Sequence, residues 1–182
     1  MRPLRVFALG ALLAPGCALR GATRLLAVEG GAARPNFRYP TPEELTPRSD
    51  AMLARAAACQ AAFPHRFVSP AEAAEMVRVG AALCDVRTED QAADHEVGGV
   101  AGRTARGARR LALDNMCIAG APPPMLGGGG RKVVLACTGG PKSAIGVEFL
   151  LEFGIDAYAV QGGLDAWHDA GLDLVGVDDA DD

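Results

Sequence analysis

Apolar residues along the chain come in short bursts, separated by Gly, Pro and capping residues, and the bursts switch between strand and helix periods. Val133-Val134-Leu135-Ala136 is a continuous apolar run of strand length and reads as a buried strand. Cys137 closes it, Thr138-Gly139-Gly140-Pro141 forms a short turn, and Ser143 then opens an apolar-periodic helix running through Leu151. Ala81 to Arg87 reads as a buried central strand with Asp85 and Arg87 emerging at its C-terminal end. Gly154 caps the long helix, and Ile155 to Val160 make another strand. Arg66-Phe67-Val68 is a short edge strand, and Leu111-Ala112-Leu113 is a further candidate.

The helix signals are local. Asp50 can cap a helix over residues 51–62, which Pro64 stops. Ser69, with Pro70 at the first helical position and Glu72 three residues on, forms a capping box, and Gly80 follows that helix. Thr88 and Gln91 repeat the box for a short helix ending near His95. Gly162-Gly163 turn into a helix carrying Trp167, which reads as core. Residues 97–110 are Gly- and Arg-rich without a clear period, and Pro122-Pro123-Pro124 with Gly127 to Gly130 mark a loop. Alternating short strands and helices predict a small α/β domain with a mostly parallel sheet flanked by helices. Ligands of such sheets sit at the strands' C-terminal ends, where Cys137 falls.

Composition narrows this further. A chain of 182 residues that is 49% hydrophobic can bury one ordinary core. A net charge of −4, with no basic stripe, argues against nucleic acid as a partner. No apolar run reaches the roughly 18 residues of a membrane span. Residues 1–28 hold four arginines and no acidic residue, with an apolar stretch at Val6 to Leu13 and small residues at Gly16-Cys17-Ala18. They read as a targeting segment. A signal followed by a basic transit stretch predicts a plastid, with the mitochondrion and then secretion as the alternatives. Residues 29–65 form a linker plus helix, which packs on the domain or acts as a spacer and offers a surface for a protein partner. The compact domain spans 66–176, and 177–182 form a solvated acidic tail.

The five cysteines do not make a disulfide framework, and no Cys/His spacing suits zinc, so no metal or organic cofactor is expected. Cys17 leaves with the leader, while Cys59 and Cys84 read as packing. Cys117, just before the Pro/Gly loop, is either exposed and a resolving thiol or simply packed.

Cys137 carries the chemistry. A strand–loop–helix unit aims the loop amides at one point, with the positive end of the helix dipole behind it. A thiol at such a point is stabilised as thiolate. Lys142 adds a charge, either at the anion site or merely solvated. The plain alternative is a small buried hydrophobe at a strand end. A phosphate-binding P-loop is excluded, because Pro141 and Ala136 stand where it requires Gly.

Several motifs, in order, resemble a single rhodanese domain over residues 66–176. Leu83-Cys84-Asp85-Val86-Arg87 looks like the family's Leu-x-Asp-Val-Arg strand, and Asp94-His95 lies where it has Gly-His. Cys137 to Ser143 is similar to its Cys-x-x-Gly-x-Arg-Ser loop. Gly162-Gly163, Ala166-Trp167 and Ala170-Gly171 resemble its closing signature. The resemblance implies a sulfurtransferase in which Cys137 carries a covalent persulfide. Thr138, Gly139, Gly140, Lys142 and Ser143 would bind the persulfide or departing anion, with Asp85, Arg87, Gly162 and Gly163 structural beside them. Its partners would be a small sulfur donor and a thiol or cyanide acceptor. The six-residue loop from Cys137 to Lys142 matches the sulfurtransferases; the related phosphatases have one residue more and His where Ala136 stands. Three departures mark this chain: Lys142 replaces Arg, Pro141 removes a loop amide, and an Arg/Gly-rich segment follows His95. The alternative function is a rhodanese-fold docking or redox-sensing module.

Overall fold

The computed structural model describes residues 37–126 and 130–180. The targeting segment at 1–28, residues 29–36 of the linker, Gly127 to Gly129 and the last two residues of the tail lie outside the described residues.

Five strands form one parallel sheet: β1 (Phe67–Val68), β2 (Ala82–Asp85), β4 (Arg109–Arg110), β5 (Val133–Ala136) and β6 (Ala157–Val160). Their order is β1-β6-β5-β2-β4, which makes β5 central and β1 an edge. A separate antiparallel ribbon pairs β3 (Arg103–Ala105) with β7 (Leu174–Gly176).

Every residue of β5 is buried because both sheet faces are covered. Val133 and Leu135 face a core shared with α2 (Asp50–Ala62), α5 (Leu113–Ala119) and α6 (Pro141–Glu152). Val134 and Ala136 face a second core containing Ala73 of α3 (Pro70–Arg78) and Leu164 and Trp167 of α7 (Gly163–Asp169). Gly146 lets α6 lie close on the sheet, since a Cβ there would come within 2.8 Å of Leu135 Cδ1.

The segment expected to be linker plus helix is a strap packed on the domain. Phe37 and Tyr39 stand edge-on to buried Phe149 of α6, with ring centroids 6.2 and 6.1 Å away. The short α1 (Pro42–Leu45), with a Thr41–Glu44 capping box, sends Leu45 into the same core. Arg55 then donates to Glu148 at 2.9 Å, and the Cys59 thiol does so at 3.3 Å. The Arg/carboxylate pair and the apolar contacts together hold α2 along α6.

The capping boxes at Ser69 and Thr88 form as expected, opening α3 and α4 (Glu89–Asp94). Other boundaries differ. Ser49, not Asp50, caps α2, its Oγ accepting from Met52 N–H at 3.0 Å; Asp50 becomes a first-turn acid, which the helix dipole also favours. Helix α6 begins at Pro141 rather than Ser143, because Pro at the first helical position has no amide to lose. Strand β6 starts at Ala157, later than Ile155. Leu111-Ala112-Leu113 is not a strand: pairing with β2 ends at Arg110, and Leu113 opens α5. A three-residue apolar run does not distinguish a strand from a buried helix start. At the tail, Val177–Asp179 form a 3₁₀ turn, with Val177 N–H bonded to Gly102 O at 2.9 Å and Ala180 buried. Only its acidic side chains, Asp178 and Asp179, are exposed as expected.

Phe149 joins strap, helix and sheet. Phe149→Ala is expected to cost about 3–5 kcal/mol in chemical denaturation and to accelerate proteolytic cleavage between α1 and α2.

Candidate active site

Parallel pairing of β2 with β5 places Asp85 beside Ala136, so both strands end at the same level and Cys137 and Arg87 leave the sheet as neighbours. Cys137 is 4% exposed. Its sulfur accepts the Gly140 N–H at 3.2 Å and lies 3.7 Å from Ser143 Oγ. Ser143 Oγ in turn donates to Gly140 O at 2.8 Å. The loop therefore curls back over the thiol instead of leaving it at an open strand end. The amides of Thr138 and Gly139 bond no backbone acceptor among the described residues. Those of Lys142 and Ser143 belong to the first turn of α6, which has no intrahelical acceptors.

The carbonyls of the loop are tied from the other side. Leu164 N–H donates to Cys137 O at 2.8 Å and Asp165 N–H to Thr138 O at 3.0 Å. This uses the first turn of α7 to fix the loop, and it requires Gly162-Gly163. Gly163 has φ 63°, and a Cβ there would lie 2.2 Å from Cys137 O.

Asp85 and Arg87 form a buried ion pair, with Arg87 Nη2 to Asp85 Oδ2 at 2.6 Å. Thr104 Oγ1 also donates to Asp85, at 2.9 Å, and Arg87 Nη2 to Arg103 O, at 2.7 Å, which fastens the β3–β7 ribbon to the end of β2. The pair thus ties the end of β2 to the ribbon. Arg87 Nη1, however, is buried without a hydrogen-bond partner, and Arg87 borders the same cavity as Cys137.

Lys142 is 3% exposed, so it is not a solvated side chain. Its Nζ bonds Asp114 Oδ2 at 2.6 Å and Gln91 Oε1 at 2.8 Å. It borders the cavity, but Asp114 already neutralises it. His95 sits at the C-cap of α4, and its Nδ1 is 3.3 Å from Thr138 Oγ1, bracing the loop. Trp167 is core, its Nε1 donating to Asp173 O at 3.2 Å.

The cavity over Cys137 has a volume of about 240 Å³. The strap forms much of its wall, through Pro47, Arg48, Met52 and Leu53, and Asp165 of α7 joins them. Sequence reading singled out none of these five. Burial, with the charge of Asp169 nearby, raises the Asp165 carboxyl, while Arg87 and Arg48 pull it back down. The spacing of Thr88 and Gln91 announced a helix cap, with nothing to show that Gln91 also holds Lys142. No cluster of potential metal ligands occurs among the described residues, and no helix among them is long and apolar enough to cross a membrane.

The fold expected from the sequence, a small α/β domain with a mostly parallel sheet flanked by helices, is the fold observed. Solved structures similar to this chain include a rhodanese-related protein from Thermoplasma volcanium, at 20% identity over 60% of this chain and 97% of that one, TM-score 0.45. A rhodanese-like domain protein from Staphylococcus aureus is 27% identical over 59% of this chain and 96% of its own, TM-score 0.42. A Rhodopseudomonas palustris protein of unknown function, described as a possible tyrosine phosphatase, is 19% identical over 68% and 93%, TM-score 0.50. No family model matches the sequence, and no curated protein matches it significantly.

Two outcomes follow from this geometry. Gly163→Ala should lower stability by about 2–4 kcal/mol and slow alkylation of Cys137, both measurable on one preparation. Burial pushes the thiols of Cys59, Cys84 and Cys117 up to about 12. In the folded protein at pH 8, iodoacetamide should therefore modify Cys137 before any of these three, as read by peptide mass mapping. The same shift argues against Cys117 as a resolving thiol.

Proposed function

We propose that the protein is a single-domain sulfurtransferase that moves sulfane sulfur through a persulfide on Cys137. One observation carries the reading: the thiol sits inside a curled six-residue loop, with the Gly140 amide on its sulfur and further loop amides without backbone acceptors. In the transfer, the Cys137 thiolate attacks the outer sulfur of thiosulfate or another sulfane donor. The new S–S bond forms as the donor's S–S bond breaks, and the leaving group, sulfite for thiosulfate, departs with the electron pair. The loop amides stabilise the anionic persulfide and the departing charge. A thiol or cyanide acceptor then attacks the outer sulfur and regenerates the thiolate. Pro141 removes one donor from the cradle, but at a first helical position, where the remaining first-turn amides still face outward from the helix end.

The second reading, a docking or redox-sensing module on the same fold, is favoured by the pairing of Lys142 with Asp114, which takes the loop's own cation out of free use. The leader proposal stands on sequence alone: delivery to an organelle, a plastid first, with residues 29–65 available to a protein partner.

Incubating the protein with thiosulfate should add one sulfur atom to its intact mass, removed by cyanide with release of thiocyanate and absent in Cys137→Ser. A folded protein with reduced Cys137 that gains no sulfur from thiosulfate or from any other sulfane donor would transfer support to the module.

A further inference from the structure

The cations around the cavity are unequally engaged. Lys142 is held by Asp114 and Gln91, and Arg87 by Asp85 and the Arg103 carbonyl. Arg48 also borders the cavity; its guanidinium makes no hydrogen bond or close ion pair among the described residues, and acts only at longer range on Asp165. It occupies the turn between α1 and α2 with φ 60°, the sole non-glycine with positive φ among the described residues. Such a conformation costs about 1–2 kcal/mol and persists where surrounding structure imposes it, commonly at ligand sites. Here Ser49, the next residue, is fixed as the cap of α2, while Pro47 borders the cavity beside Arg48. The strain thus buys nothing in packing for Arg48 itself, which stays exposed, but keeps an unpaired cation at the mouth over Cys137.

Beside it, Met52 and Leu53 give the same wall an apolar surface. The cavity of about 240 Å³ is smaller than the roughly 300–1,000 Å³ of drug-sized ligand sites. It suits a compact molecule with one charged end. Asp165 of α7 borders the same cavity, and its charge and that of Arg48 act on each other.

We propose that Arg48 recognises the anionic group of the sulfur carrier, and that the carrier is a small organic acid, its carboxylate or sulfonate on Arg48 and its carbon skeleton against Met52 and Leu53. This rests on the sulfur-transfer reading of Cys137. The strap, not the cysteine loop, then sets donor selectivity.

The test separates the two readings. Iodoacetate and iodoacetamide alkylate the same sulfur, each forming a C–S bond as iodide leaves, and differ in one carboxylate. The ratio of their rates at Cys137 reports the charge met by an entering anion and cancels any change in thiol ionisation. In the full chain at low salt, Arg48→Gln should lower the iodoacetate-to-iodoacetamide ratio roughly three- to tenfold. Arg48→Lys should retain most of it, and Asp165→Asn should raise it. Arg48→Gly, which relieves the strained φ, should show the same drop with no loss of thermal stability, so that unfolding is not the cause. An unchanged ratio in Arg48→Gln, or a drop equalled by Lys142→Gln, overturns the assignment. For the carrier, an alkyl thiosulfonate should load sulfur onto Cys137, with a sulfinate leaving, at a lower half-saturating concentration than thiosulfate, and Leu53→Ser should erase the difference. Equal half-saturation in the wild type overturns the organic carrier. Loss of the ratio in Arg48→Gln with no sulfur loaded from either donor overturns the sulfur chemistry and leaves Arg48 as an anion site.

Discussion

The site depends on the approach of Gly163 to the carbonyl of Cys137. A loop that must present its amides to a sulfur has to turn its carbonyls elsewhere, and buried carbonyls need donors. The start of α7 supplies them through Leu164 and Asp165. Only a residue without a Cβ, and tolerant of positive φ, lets the two backbones come that close. The shape of the cysteine loop is thus set partly by a glycine in another helix, on the opposite face of the sheet.

The parallel sheet makes this arrangement rigid. Strand β5 is buried on both faces and ends level with β2, so the loop after it and the Asp85–Arg87 pair share one rim. The ion pair is fully enclosed, and its cost of desolvation is offset by Thr104 and the Arg103 carbonyl as well as by mutual attraction. Those same contacts hold the β3–β7 ribbon, so a polar network beside Cys137 also closes one end of the domain.

Much of this was legible in the sequence. The run at 133–136, the capping boxes at Ser69 and Thr88, and the paired glycines at 162 and 163 each fix a local conformation through short-range chemistry, and each formed as expected. What stayed hidden depends on contacts between distant residues. Nothing near Lys142 announces that Asp114 will meet it, and an Ala-rich α2 gives no clear apolar stripe to reveal that it packs on α6. Leu111 to Leu113 was too short a run for its period to be read. Residues 29–49 looked like a linker because Gly, Pro and Arg dominate that stretch, while the aromatic anchors that dock its described part, Phe37 and Tyr39, are only two side chains.

The strap has a consequence for where this protein can be divided. The sheet, the cysteine loop and the closing glycines all lie after residue 66, and a fragment starting there contains every motif that the sequence resemblance uses. Yet such a fragment would expose the α6 face that Phe37, Tyr39 and α2 cover, and it would leave the cavity over Cys137 open on the side now walled by Pro47, Arg48, Met52 and Leu53. The stretch that carries every motif of the resemblance and the stretch that walls the cavity over Cys137 are different lengths of chain.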